Sequence, residues 1–350
     1  RGGHFNIPAA PTGPTLGKSY PVSYFRSLSG SGLQPYAVQL HDVDNDNDLD
    51  VIWQTEFEDD KVVVKLNENG MLRSLDETDR FYGQNGSTGL PPIPFSVGDV
   101  DNSGSKEIVV AQIGIDLNGD FNDDNGFAIY RWNASSISKV YPSSSTGIFV
   151  NAANNPNTNL KLYSVQAVEN LGGNSVLDRG VLVGVTESVV ISFPGEPLQF
   201  GPSYHVYLYQ KNGSTFTLTE SLNVSGSHKI VTGQVNQDQY TDVISIGHGI
   251  AHLMLASGNF SGTSYFASNT AYPMTDGIIL GATLADLDGD GDLDLIALSE
   301  NNGEYTLSAR LNTGVGFGNP ADPAYTLSQS RQMVSLKSVD MNQDQYDDLV

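Results

Sequence analysis

Cysteine is absent, so the chain has no disulfide framework, no thiol nucleophile and no thiolate metal site. Basic residues are few: 17 Lys and Arg stand against 40 Asp and Glu, for a formal charge of −23. Nucleic-acid binding needs clustered Lys and Arg on phosphate, and none is expected here. An anionic membrane surface is disfavoured for the same reason. Insertion is not expected either, because no apolar run approaches the roughly 20 residues that span a bilayer. No long stretch carries helical periodicity. No Ser-His-Asp constellation, phosphate loop or HExxH helix is visible.

What is present is repetition. "DVDNDNDLDVI" starts at Asp42, "DVDNSGSKEIV" at Asp99, "QVNQDQYTDVI" at Gln234, "DLDGDGDLDLI" at Asp286 and "DMNQDQYDDLV" at Asp340. A worn copy, "ENLGGNSVLDRGVLV", starts near Glu169, and the starts are 57, 70, 65, 52 and 54 residues apart. Each copy has the same surroundings. An apolar strand A precedes it ("PYAVQLH", "ILGATLA"), and strand B follows ("LDVIWQT", "LDLIALS"). Strand C often ends in Asn ("KVVVKLN", "YTLSARLN"), and a Gly turn leads to a looser strand D. The runs are short, β-branched or aromatic, and bounded by turn residues.

Four antiparallel strands every 55 residues or so describe a propeller blade. A single blade cannot bury both faces, so blades must pack around an axis. The expected fold is all-β, one propeller domain over residues 1–350 with six visible repeats and six or seven blades. Residues 1–30 are expected to complete the last blade. The chain starts at Arg1 rather than Met and ends mid-repeat at "DDLV", so a preceding segment and a continuation beyond Val350 are both expected.

The acidic loops follow D-x-D-x-D-G-x-x-D. Oxygens at alternating positions, with a carbonyl at position 7, resemble the front half of an EF-hand loop that wraps calcium. Position 6 needs φ > 0, which suits Gly or Asn. The first copy offers Asp42, Asp44, Asp46, Asp48 (carbonyl) and Asp50, turning at Asn47. The fifth offers Asp286, Asp288, Asp290, Asp292 (carbonyl) and Asp294, turning at Gly291. The second offers Asp99, Asp101, Ser103, Ser105 (carbonyl) and Glu107, turning at Gly104. The sixth offers Asp340, Asn342, Asp344, Tyr346 (carbonyl) and Asp348, although Gln345 is awkward at the turn. The fourth, with Gln234, Asn236, Asp238 and Asp242, either binds weakly or is held by hydrogen bonds alone. An insert between strands B and C holds Asp116, Asn118, Asp120 and Asp124, an ion site or a polar surface loop. These stretches hold 23 of the 40 acids, so the charge is largely a metal-binding feature. Several structural Ca2+ ions are the expected cofactors.

The chain resembles the FG-GAP/VCBS repeat family, the propeller type at the head of integrin α-subunits and in many secreted microbial proteins. The resemblance rests on the acidic loops, on "LGATLADLDGDGDLDLIAL", and on "NTGVGFGNPADPAYTL" leading to "VDMNQDQYDDLV". Phe-Gly pairs stand at Phe317-Gly318 and Phe200-Gly201, and a Gly-Ala pair at Gly281-Ala282. It implies a calcium-bearing propeller, usually of seven blades, with partners on the face away from the ions. Its members include adhesion domains, lectins and propeller-bearing lyases.

Up-and-down strands put the acidic A–B loops on one face and the B–C loops on the other. The long B–C loops at 113–126 and 187–204 and the turn at 247–252 are where a partner is expected, with Phe121, Phe193, Phe200, Tyr204 and His248 as contacts. Their alternative role is to pack the insertions against their own blades. His248 and His252 could form a metal pair or supply an acid and base, though histidines flanking a tight turn are more often incidental. The sequence therefore reads as an extracellular, calcium-stabilised propeller that binds carbohydrate or a surface protein and does no chemistry. The alternatives are a self-assembling subunit of a surface layer or filament, and a polysaccharide lyase or hydrolase.

Overall fold

The structure is a computed structural model. It describes residues 35–55, 61–68, 71–72, 80–82, 94–115, 124–133, 136–141, 148–150, 160–172, 178–191, 199–226, 229–258, 264–274, 277–320, 325–327, 336, 338–339 and 348–349. Among the described residues the chain is all-β, a propeller with five four-stranded antiparallel blades. Among the described residues no helix is long and apolar enough to cross a membrane.

The first blade is Pro35–His41, Asp50–Thr55, Lys61–Lys65 and Arg80–Tyr82, as strands A to D. The second is Phe95–Gly98, Glu107–Ile115, Asp124–Asn133 and Ser136–Tyr141, with Ile148–Phe149 extending the outer edge. The third is Leu160–Val168, Gly180–Ile191, Gln199–Asn212 and Thr215–Val224. The fourth is Lys229–Gly233, Asp242–Gly247, Ile250–Ala256 and Phe266–Pro273. The fifth is Ile278–Ala285, Asp294–Asn301, Glu304–Asn312 and Phe317–Pro320, with Tyr325–Leu327 added to its outer edge. The expected six or seven blades are therefore five complete ones among the described residues. The sixth repeat contributes a two-stranded ladder, Ser338–Val339 with Asp348–Leu349, which touches blade five where Ser338 Oγ donates to Leu284 O at 2.7 Å. Residues 1–30, expected to finish that blade, lie outside the described residues.

Burial shows why the strands read as they do. Strand B is sandwiched between neighbouring blades, so both of its faces are apolar: every residue of Asp242–Gly247 is buried. Strand D is the rim, and Thr215–Val224 is mostly exposed or half-buried. Strand A lines the axis, where backbones approach closely. A Cβ on Gly98 would stand 2.8 Å from the Ala167 Cβ of the next blade, and one on Gly233 would stand 2.6 Å from Leu284 Cδ1. Between blades two and three, Phe127 meets Tyr209 edge-on at 5.3 Å and Phe216 at 6.5 Å. The 187–204 stretch, expected as a long loop, is instead mostly ladder. Strands B and C of blade three stay paired from Glu187↔Ser203 out to Ile191↔Gln199.

The Asn that ends strand C is a hub. Asn312 Oδ1 accepts from the amides of Thr313 (2.7 Å), Gly314 (3.1 Å) and Gly316 (3.3 Å). Its Nδ2 donates to Val235 O of blade four (2.7 Å) and Leu293 O (3.2 Å). Removing it strands several buried groups at once. Asn312→Ala is therefore expected to cost about 3 kcal/mol in denaturant unfolding. A loss below about 1 kcal/mol would mean that water satisfies these groups instead.

Candidate functional site

The first, second, fourth and fifth acidic loops each link strands A and B of one blade, so these four lie on one face. The chain turns twice in each loop, at positions 4 and 6. Asn45 and Asn47 have φ of 63° and 70°, Asn102 and Gly104 61° and 81°, Gln237 and Gln239 58° and 72°, and Gly289 and Gly291 78° and 90°. The sequence pointed to position 6 alone. Position 4 was missed; in loops one and five its signal is the Asn or Gly between two aspartates. Glutamine, read as awkward at position 6, takes the left-handed conformation at Gln239.

Position 9 ties the loop to its blade. Asp50 Oδ2 accepts from Val43 N (2.9 Å) and its Oδ1 from Asn67 N (2.8 Å), tying the start of the loop to strand C. Asp242 does the same with Val235 and Ala256, and Asp294 with Leu287 and Asn312. These carboxylates are fully buried. Burial pushes Asp50 up to about 6 against the pull of those amides, and it raises Asp242 and Asp294 as well.

Position 1 organises the loop. Asp42 accepts from Asp46 N (3.1 Å) and Asn47 N (3.0 Å), Asp99 from Ser103 N and Gly104 N (both 3.1 Å), and Asp286 from Gly289 N (2.8 Å) and Gly291 N (3.0 Å). The carboxylates then converge. Oxygens of Asp42, Asp44 and Asp50 lie within 4.8 Å of one another, as do those of Asp99, Asp101 and Glu107, and those of Asp286, Asp288 and Asp290. A hard cation of calcium size fits such a donor set. In loop one, Asp44 Oδ1 is buried with no hydrogen-bond partner, and burial together with Asp46 raises its pKa. Among the described residues, no Lys or Arg pairs with Asp42, Asp44 or Asp50, nor with Asp286, Asp288 or Asp290.

The second loop differs. Arg131 donates to Asp101 Oδ2 (2.9 Å), Ser103 Oγ (3.0 Å) and Glu107 Oε1 (2.7 Å). Arg179 reaches Asp99 Oδ2 at 2.6 Å and Lys211 reaches Asp101 Oδ2 at 3.3 Å. Burial would raise Asp101, but Ser103, Tyr141, Arg131 and Lys211 outweigh it and hold the group at about 2. Glu107 goes the other way, up to about 7, through burial and the charge of Asp101. The worn third copy serves its neighbour: Glu169 Oε1 accepts from Asp99 N (2.7 Å) and Lys106 Nζ (2.6 Å).

In the fourth loop the side chains satisfy one another. Asn236 Nδ2 donates to Asp238 Oδ2 at 2.9 Å, and Asp238 Oδ1 accepts from Tyr240 N at 2.8 Å. Gln237 Nε2 donates to Asp292 Oδ1 of loop five.

On the opposite face, two of the expected contacts come together. The rings of Tyr204, in strand C of blade three, and His248, at the B–C turn of blade four, have centroids 4.8 Å apart. His248 is exposed. His252 is a buried structural residue: its Nε2 accepts from Ser225 N at 2.9 Å, and its Nδ1 meets Asn269 Oδ1 at 2.8 Å. The two histidines therefore do not act as a metal pair. Asp116, Asn118, Asp120, Phe121, Phe193, Asp340, Asn342, Asp344 and Tyr346 lie outside the described residues. Asp124, Phe200 and Asp348 fall in strands, but their side chains lie outside the description.

An FG-GAP-like repeat model matches residues 234–297 and 286–350. No curated protein matches the chain. Among solved structures, a functionally unknown protein from Desulfotomaculum acetoxidans DSM 771 is similar at 9% identity and a TM-score of 0.38, over 84% of this chain and 87% of that one. A likeness that distant adds nothing to the reading of the loops.

Proposed function

We infer, for a propeller whose residues 234–350 carry two FG-GAP-like repeats, that the chain is a calcium-stabilised binding module working outside the cell. The observation that carries this is the converging acid of loops one and five. Three carboxylates converge within 4.8 Å in each, and no basic side chain among the described residues answers them. Extracellular calcium fills sites of modest affinity, whereas cytosolic calcium does not. The ions are structural in this reading: they close the A–B loops of a single propeller domain and leave the B–C face for the partner.

That partner is a carbohydrate or a surface protein. Carbohydrate is the first choice because the ring pair Tyr204–His248 offers an apolar face with polar rims, the chemistry that stacks on a sugar ring. The pair bridges blades three and four, so a rigid scaffold sets its spacing.

The test is a glycan array probed in millimolar calcium and again in excess chelator. Glycan signal that depends on calcium is expected. Tyr204→Ala and His248→Ala are each expected to weaken it by about tenfold, or about 1.4 kcal/mol. Calcium-dependent folding with no glycan signal would reject carbohydrate and leave a protein partner or self-assembly.

A further inference from the structure

We infer that the second acidic loop carries its own cation, Arg131, and is held without metal. Its guanidinium touches the side chains at positions 3, 5 and 9, namely Asp101, Ser103 and Glu107. These are three of the ligand positions that a calcium ion would use in loops one and five. A planar fork with several N–H donors suits this task, since it meets two carboxylates and a hydroxyl at once.

The register shows that the substitution is local and built in. Arg131 stands directly across the ladder from Glu107. In blade one the residue across from Asp50 is Leu66, one beyond the Val51↔Lys65 pair. In blades four and five the same position holds Leu255 and Leu311. Leucine there leaves the acids to find a cation elsewhere, and arginine supplies one. The loop is adjusted to receive it. Serine at position 5 removes an acid and makes room, and Ser103 Oγ also donates to Glu107 Oε1 at 3.1 Å.

The surrounding charge agrees. Around loop two, the carboxylates of Asp99, Asp101, Glu107, Glu169 and Asp178 meet four cations, Lys106, Arg131, Arg179 and Lys211. The balance is one negative charge, whereas Asp42, Asp44 and Asp50 of loop one and Asp286, Asp288 and Asp290 of loop five meet no Lys or Arg among the described residues. A divalent ion entering loop two would have to displace a guanidinium and then face the other cations. Calcium loss would therefore loosen blades one and five and spare the A–B loop of blade two. This contrast rests on the calcium reading of loops one and five. The assignment of Arg131 does not.

The test is amide hydrogen exchange on the whole chain, read by mass spectrometry in millimolar calcium and in excess chelator. Chelation is expected to speed exchange in peptides covering 42–50 and 286–294 and to leave 99–107 unchanged. Arg131→Leu is expected to speed exchange in 99–107 by about tenfold in chelator, the loss of its charge-assisted hydrogen bonds. Wild-type exchange in 99–107 that rises on chelation as in the other loops would overturn the proposal. An Arg131→Leu protein with unchanged 99–107 exchange would overturn it too. If no loop responds to chelation but Arg131→Leu still loosens 99–107, the calcium reading fails and the assignment of Arg131 stands.

Discussion

Chelating calcium is expected to lower the melting temperature by about 10 °C. The reason is electrostatic. Five aspartates crowd each of loops one and five, and the position-9 acids Asp50 and Asp294 are buried inside the blade. Without a cation, those charges repel one another and resist desolvation. A site filled to a hundred times its Kd adds about 2.7 kcal/mol, so two such sites add about 5 kcal/mol. In a chain of this size each kcal/mol is worth about 2 °C. Differential scanning calorimetry in millimolar calcium and in chelator measures this directly. Asp44→Asn and Asp288→Asn should each remove about half of the calcium-dependent part, because each strips one loop of a ligand. A melt that ignores calcium would remove the physical reason for the acid repeats.

Gly258→Ala should cost about 3 kcal/mol, from backbone strain and overpacking together. Gly258 has φ of +63°, and an added Cβ would lie 2.1 Å from Tyr240 Cε2 and 2.6 Å from Cζ. The ring cannot swing away freely, because Gly172 packs against it from the third repeat, with φ of +90°. Gly172 and Gly258 pair in an isolated parallel bridge. Asn170 fastens the same seam: it accepts from Thr241 N at 2.8 Å and donates to Gln239 O at 2.5 Å. The worn third copy thus docks onto the fourth loop through a glycine–tyrosine–glycine stack. Gly213→Ala is the control: its φ is +62°, but nothing stands within 4 Å of the added Cβ. It should cost about 1 kcal/mol, the backbone part alone. Equal losses in the two variants, measured by denaturant unfolding, would show that the contact with Tyr240 contributes nothing.

By itself the sequence determined the repeat, the strand order within a blade, the all-β class and the place of the acidic loops. Those properties are local. Alternating turn residues and β-branched runs act over a few neighbours, and the acids of one loop lie within nine positions. The sequence suggested the position-9 acids only as ligands and could not show them as staples, because Asn67 and Asn312, whose amides donate to them, come from the far end of strand C. Only the tertiary structure decided that basic side chains gather at the second loop. Arg131 is 24 residues from Glu107 along the chain, and Arg179 is 80 from Asp99. The register of one ladder and the packing of blade on blade bring them in. The same holds for Tyr204 and His248, which meet across two blades, and for the glycines about Tyr240, whose closeness depends on how the worn third copy docks onto the fourth loop. The five complete blades among the described residues followed from strand pairing, which periodicity in a sequence counts only as repeats begun. Charge that must be neutralised is written in the chain. Whether an ion or an arginine neutralises it depends on neighbours that only the folded blades supply.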